Sequence, residues 1–325
     1  LSAPPAGGGS KQRILARMSG VWRSLALCAA YILLNASLNL LNKWALGIAG
    51  FTFPLTLTAA HMLFNPLLLL PVLLIRGGLS WATSSSRVMS SWKAIVFVGV
   101  SNGVQIALNN SSLVHMELAL NQVVRAAMPV IVALMAAVIE RTTPTGAQLA
   151  CLGVISTGVG LAVYKDNAGT SGDLAGTLLV LCSVAVMALQ MTFSGKLGLK
   201  MDAVEMTFYT GWISFVPVAI AIVRLEGSAM LQHVAAHPTA SMVIVLSSCM
   251  LAVLYNVVVF ETIRSLSSVG SAVLGNVKVV VILVASAAWI GEMRNWQWRQ
   301  HIGCILTFTG AAAYSAVKLR KARKS

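Results

Sequence analysis

This sequence predicts an all-α membrane protein with ten transmembrane helices, arranged as two inverted five-helix repeats. Three observations lead there. Apolar runs of about 20 residues, the length a bilayer requires, recur along the whole chain. The composition is 57% hydrophobic and only 10% charged, whereas soluble domains carry roughly 25% charged residues. The basic side chains cluster in alternate connections, as the positive-inside rule describes.

The spans follow in order at 22–45, 53–75, 94–113, 118–139, 148–164, 174–197, 204–223, 242–263, 269–290 and 300–318. Residues 1–20 are rich in Gly, Ala, Pro and Ser and then basic, so they read as a flexible cytosolic tail. The first repeat occupies 21–165 and the second 173–319, and 320–325 form a basic tail. Lys11, Arg13, Arg17 and Arg23 precede the first span, and Lys318, Arg320, Lys321, Arg323 and Lys324 end the chain. Ten spans put both termini on one face, which the basic ends assign to the cytosol. Arg76, Arg87, Lys93, Arg141, Lys196, Lys200 and Arg264 share that face, against Lys165, Arg224, Arg294 and Arg299 on the other.

The repeat is visible in paired residues. Glu140, Gln148 and Gly158 recur as Glu292, Gln300 and Gly310 at one constant offset, and Arg125 and Lys278 are one residue further apart. Leu108-Asn109-Asn110 is echoed by Leu254-Tyr255-Asn256. Five spans per half is an odd number, so the second half enters the bilayer upside down. Such inverted repeats set a binding site near the midplane and permit alternating access.

The net charge of +14 reflects topology rather than nucleic-acid binding, because no basic stripe coincides with a soluble aromatic surface. Cys28, Cys151, Cys182, Cys249 and Cys304 all lie within spans and read as small packing residues, not as a disulfide or metal framework. His115, His233 and His237 lack metal-like spacing. No paired carboxylates or nucleophile–base pair share a membrane depth, so an enzyme is not expected. No cofactor is expected either.

Arg125 and Lys278 carry the chemistry. Each is a cation deep in an apolar span without a neighbouring carboxylate in sequence. A charge at bilayer depth costs several kcal/mol and faces a cavity, a partner or a substrate. A visiting anion supplies the missing counter-ion. Arg offers a planar fork for two phosphate oxygens, and Lys a compact point charge. Pro129, one turn after Arg125, weakens the helix there. Tyr255, Asn256 and Asn109 can hydrogen-bond a sugar, a base edge or a phosphate. Lys43, in Leu41-Asn42-Lys43-Trp44, is either a ligand or a residue snorkelling beside Trp44. Gln190 is a weaker candidate on the sixth span. Glu261 and Arg264 form a local pair one turn apart.

The segment Asn121-Gln-Val-Val-Arg125-Ala-Ala-Met-Pro129 resembles the helix-4 signature of the triose-phosphate translocator and nucleotide-sugar transporter family, within the drug/metabolite transporter superfamily. Leu254-Tyr255-Asn256 and Gly275-Asn276-Val277-Lys278-Val279 resemble its helix 8–9 signature, and Leu41-Asn42-Lys43 its helix-1 motif. The resemblance implies inverted five-helix halves and strict exchange across an organelle membrane. It carries substrate-binding roles to Arg125, Tyr255, Lys278 and Asn109. Plastid members have Lys-Arg where this chain has Lys278-Val279, a basic residue at Gln190 and a His near Ile106. The Lys-Val pair is similar to the branch holding Golgi and endoplasmic-reticulum carriers of UDP-linked sugars.

The expected function is therefore a nucleotide-sugar antiporter of a Golgi or endoplasmic-reticulum membrane, exchanging a UDP-sugar for a nucleoside monophosphate. Its partners are that anionic solute and the lipid bilayer, and the apolar outer faces are compatible with a homodimer. The alternatives are a plastid-type carrier of a phosphorylated metabolite and a non-transporting trafficking or scaffold protein.

Overall fold

The computed structural model describes residues 8–75, 81–141, 143–164, 171–196, 203–265 and 268–322. Among these it is all helical. The helices are α1 (Gly8–Gly47), α2 (Pro54–Ile75), α3 (Trp81–His115), α4 (Leu118–Arg125), α5 (Met128–Met135), α6 (Gly146–Val163), α7 (Ser171–Lys196), α8 (Ala203–Leu225), α9 (Gly227–Ala236), α10 (Pro238–Ser265), α11 (Ser268–Ala285) and α12 (Trp298–Ala322). A π-helical turn extends α5 over Ala136–Glu140 and another extends α11 over Ser286–Ile290.

Among the described residues, seven segments are long and apolar enough to cross a bilayer: Leu25–Gly47, Pro54–Ile75, Leu118–Val138, Gly146–Val163, Thr207–Leu225, Pro238–Asn256 and Trp298–Arg320. Two shorter apolar stretches, Leu174–Gln190 and Val277–Ile290, join them. The protein is thus a multi-pass membrane protein. The span expected at 94–113 lies in α3, which is outside both groups. Asn102, Gln105, Asn109 and Asn110 lower its hydropathy, and the last three line the cavity described below.

Three elements differ from expectation. The single helix expected at 118–139 is broken after Arg125. Pro129 has no N–H for the carbonyl of Arg125, so Ala127 bonds back to Val124 and Val130 to Ala127 in tighter turns. Residues 227–236 form α9, an added helix between two spans. Finally, α1 begins at Gly8, so Lys11–Arg17, assigned above to the tail, continue the helix. Their Lys, Gln, Arg, Leu and Ala residues are good helix formers.

Helix pairs pack through small residues. α6 lies so close to α12 that a Cβ on Gly303 would sit 2.5 Å from the carbonyl oxygen of Gly158. α3 packs against α7 and α8, α2 against α8, and α1 against α10 and α11. Hydroxyls tie α3 to its neighbours: Ser214 donates to the carbonyl of Gly99 and Ser183 to that of Gln105, each at 2.7 Å.

One end of the bundle is densely packed. Leu40, Leu46, Phe51, Phe53, Leu57, Leu113, Leu118, Ile244 and Ile282 form one buried cluster from α1, α2, α3, α4, α10 and α11. Carboxylates cap helices at the same end. Glu226, just after α8, accepts from the amides of Leu55 and Thr56 at the start of α2, both at 2.8 Å. Glu292 accepts from the amides of Leu118 and Ala119 at the start of α4, also at 2.8 Å. A helix N-terminus has free N–H groups and partial positive charge, so a carboxylate suits it.

Candidate functional site

Below that packed end lies a cavity of about 280 Å³. Its walls are amide-rich: Asn35, Asn39 and Asn42 from α1, Asn65 from α2, Gln105, Asn109 and Asn110 from α3, Gln122 from α4 and Asn256 from α10. His61, Tyr255, Arg125 and Lys278 complete the polar lining. Helical spacing explains this convergence. The amides of α1 recur at i, i+4 and i+7, and His61 and Asn65 of α2 at i and i+4, so each set faces one way.

Arg125 stands at the broken end of its helix. Its Nη1 donates to Asn109 Oδ1 at 2.6 Å, and its Nη2 faces the Met187 sulfur at 3.8 Å. Asn109 Oδ1 also accepts from Asn121 Nδ2 at 3.2 Å. Lys278 Nζ donates to the Tyr31 hydroxyl at 3.2 Å and lies 5.6 Å from the Tyr31 ring centroid, within cation–π range. The Tyr31 ring in turn packs on Tyr255, with centroids 5.6 Å apart. Both cations are thus oriented by neutral oxygens. Among the described residues, no carboxylate lines the cavity.

The rest of the wall is internally bonded. Asn256 donates to Asn65 Oδ1 at 3.0 Å, and Asn110 to Thr58 Oγ1 at 2.9 Å. Ser248 gives its one proton to Asn42 Oδ1 at 2.7 Å. Its contact with His61 Nε2, also 2.7 Å, must then have the imidazole as donor, which fixes the proton on Nε2.

A second cavity, of about 230 Å³, shares Gln122, Arg125, Met187 and Lys278 with the first. Its other walls are Met128, Pro129, Val184, Gly275, Val279, Phe308, Ala311 and Ser315. These residues follow α5 and α12 away from the packed end. The two cations therefore sit where an amide-rich chamber meets a softer, largely apolar one. Among the described residues no group of three or more His, Cys, Asp or Glu could hold a metal ion.

Of the residues singled out from sequence, Arg125, Lys278, Tyr255, Asn109 and Asn256 line the first cavity together. Lys43 lines neither cavity. Its ammonium donates to the carbonyls of Leu113 at 3.0 Å and Met116 at 2.8 Å, at the end of α3. Gln190 lies near one turn beyond Met187 and also lines neither. The side chains of Glu261, Arg264 and Lys196 lie outside the described residues. Tyr31, His61 and the amides of α1 and α2 escaped the sequence reading. Their signal was available: polar residues at helical spacing inside apolar spans.

Known proteins resemble this sequence over nearly the whole chain. Residues 22–315 match the Triose-phosphate Transporter family. Solute carrier family 35 member E4 of Homo sapiens is 27% identical over 94% of this chain and 83% of its own length. UDP-galactose transporter 1 of Arabidopsis thaliana is 24% identical, covering 92% of this chain and 88% of its own. An Arabidopsis thaliana protein named "Probable sugar phosphate/phosphate translocator" is 24% identical, covering 94% and 91%.

Proposed function

The chain belongs to the Triose-phosphate Transporter family and is a carrier of small anionic metabolites rather than an enzyme, and we propose that it exchanges a UDP-sugar for a nucleoside monophosphate by alternating access. The observation that carries this reading is the position of Arg125 and Lys278 at the junction of two chambers. A terminal phosphate needs cations at the blind end of one pocket. A diphosphate joining a nucleoside to a sugar needs them in the middle, with room on both sides. The amide-rich chamber offers donors and acceptors in number, and Phe308 and the methionines offer a soft wall to a flat ring. The name of the Arabidopsis UDP-galactose transporter agrees with the choice, as does Val279 in place of a second helix-9 cation.

The mechanism rests on ten spans in two inverted repeats, 21–165 and 173–319. Counting α4 with α5 as the fourth span and leaving α9 outside the membrane gives that number. The helix pairings support it. α3 packs on α7 and α8, and α10 on α1 and α2. Exchanging the halves converts one set into the other, whereas α2–α8 and α6–α12 map onto themselves. Both repeats also end their fourth span in a π-helical turn followed by a left-handed residue, Arg141 at φ 52° and Gly291 at φ 76°. At the start of both fifth spans a Gln side chain accepts from the backbone N–H three residues back, Gln148 from Thr145 and Gln300 from Gln297. The basic ends favour both termini in the cytosol, and the Lys-Val motif favours a Golgi or endoplasmic-reticulum membrane.

Counter-exchange in proteoliposomes tests the reading. Vesicles preloaded with UMP should take up labelled UDP-sugars and ignore inorganic phosphate. The relative named for sugar phosphate and phosphate favours a second reading, a phosphate-ester translocator. Exchange of phosphate for a three-carbon phosphate, with no response to nucleotides, would establish that one instead.

A further inference from the structure

We propose that the corner between α3 and α4 is a gate, latched shut by Lys43 and Glu292. Four helices place the corner between the cavity and the packed end. Asn109 lines the cavity and Leu113, one turn on, is 1% exposed; Gln122 lines it and Leu118, one turn back, is 0% exposed. The same step leads from Asn42 to Leu46 on α1 and from Lys278 to Ile282 on α11.

The corner is gripped electrostatically from both sides. The last carbonyls of α3 have no partner within the helix and carry partial negative charge. Lys43 supplies a cation to two of them, at 3.0 and 2.8 Å. The first amides of α4 carry the opposite charge, and both oxygens of Glu292 meet them at 2.8 Å. The Ser286 hydroxyl donates to the same carboxylate. Lys43 comes from the first half of the chain and Glu292 from the second, so relative motion of the halves must break one contact or both. Water entering an opened corner replaces these hydrogen bonds, so the net cost of opening is far below their gross strength. That is what a reversible latch requires. The inference does not depend on which anion is carried.

The test is thiol reactivity of the full-length purified chain. Leu118→Cys introduces a buried reporter at the gate, and its labelling by a polar maleimide is read against the parent chain with its five native cysteines. Glu292→Gln removes the charge and one of the two acceptors. It should speed Leu118→Cys labelling about tenfold or more, the factor for one charge-assisted hydrogen bond. Lys43→Met should act in the same direction. A control, Ile155→Cys, lies at 0% exposure between α6 and α12 and should keep its slow rate. Should Leu118→Cys itself prevent folding, Leu113→Cys serves as reporter. Parent-like labelling in both latch variants overturns the proposal. So does a parallel rise at Ile155→Cys, because that marks general loosening rather than a gate.

Discussion

Asn109→Asp changes one heavy atom and should strongly reduce exchange without harming the fold. The Asn109 amide oxygen accepts from Arg125 at 2.6 Å and leaves the guanidinium charge uncompensated. A carboxylate of the same shape would give Arg125 a full counter-ion. Two opposite charges at about 4 Å interact by about 4 kcal/mol at an effective dielectric of about 20. Desolvation cancels part of this. If half survives as competition against the incoming anion, about 2 kcal/mol, affinity falls roughly thirtyfold. The new carboxylate also repels the substrate's own negative charge. Equilibrium binding of UMP and its exchange in proteoliposomes measure the loss, and thermal unfolding of the detergent-solubilised chain measures the fold. The expected result is a protein of parent-like or higher stability with exchange reduced by at least that factor. Unchanged exchange would refute the reasoning, because a cation that tolerates neutralisation is structural.

Lys278→Ala should abolish exchange while the chain remains monodisperse, since its ammonium is held by the neutral Tyr31 hydroxyl rather than by a carboxylate; normal exchange by a folded variant would remove Lys278 from the site. Arg125→Lys keeps the charge but loses the planar fork, so competition binding should show weaker affinity with unchanged membrane insertion. Gly303→Val should destabilise by about 1–3 kcal/mol, read as a lower unfolding temperature, because even a Cβ there meets the Ala162 nitrogen at 2.5 Å. Val279→Arg adds a second donor to the wall of the softer chamber and should shift competition towards inorganic phosphate and triose phosphate, measured against UMP.

Apolar run length marked the seven described segments that are long and apolar enough to cross a bilayer, because hydropathy is a local property of the chain. The span expected at 94–113 is not among them, and there Gln105, Asn109 and Asn110 line the cavity. The break after Arg125 was half legible. Pro129 marks a missing hydrogen bond, but only the packing decides whether a helix kinks or divides. The cations were legible because an isolated charge in an apolar span is costly wherever it points. Their neutral partners were not. Tyr31 lies on α1, Lys278 on α11, and nothing local to either residue reports the 3.2 Å contact. Lys43 illustrates the opposite limit. Its depth and motif suit a ligand as well as they suit a helix cap, and only the carbonyls of Leu113 and Met116 distinguish the two.

The neutral partners bear on how the carrier couples movement to occupancy. A carboxylate beside Arg125 or Lys278 would hold each side chain firmly but would compete with the cargo. Bare cations would leave the anion unopposed but would collapse onto backbone carbonyls, as Lys43 does. Asn109 and Tyr31 take the middle course: they fix direction and leave the charge available. An empty cavity then holds two cations contributed by different halves of the chain, and their repulsion opposes bringing the halves together around it. A bound dianion reverses the sign of that interaction. Exchange without net leak follows if only the occupied cavity closes on both sides. Under this reading Asn109→Asp should do more than weaken binding. By supplying a permanent internal anion, it should let the empty carrier reorient, converting residual exchange into slow uniport. Efflux of labelled UMP into substrate-free medium detects this, and an efflux that still requires substrate outside would show that repulsion between the cations does not enforce the coupling.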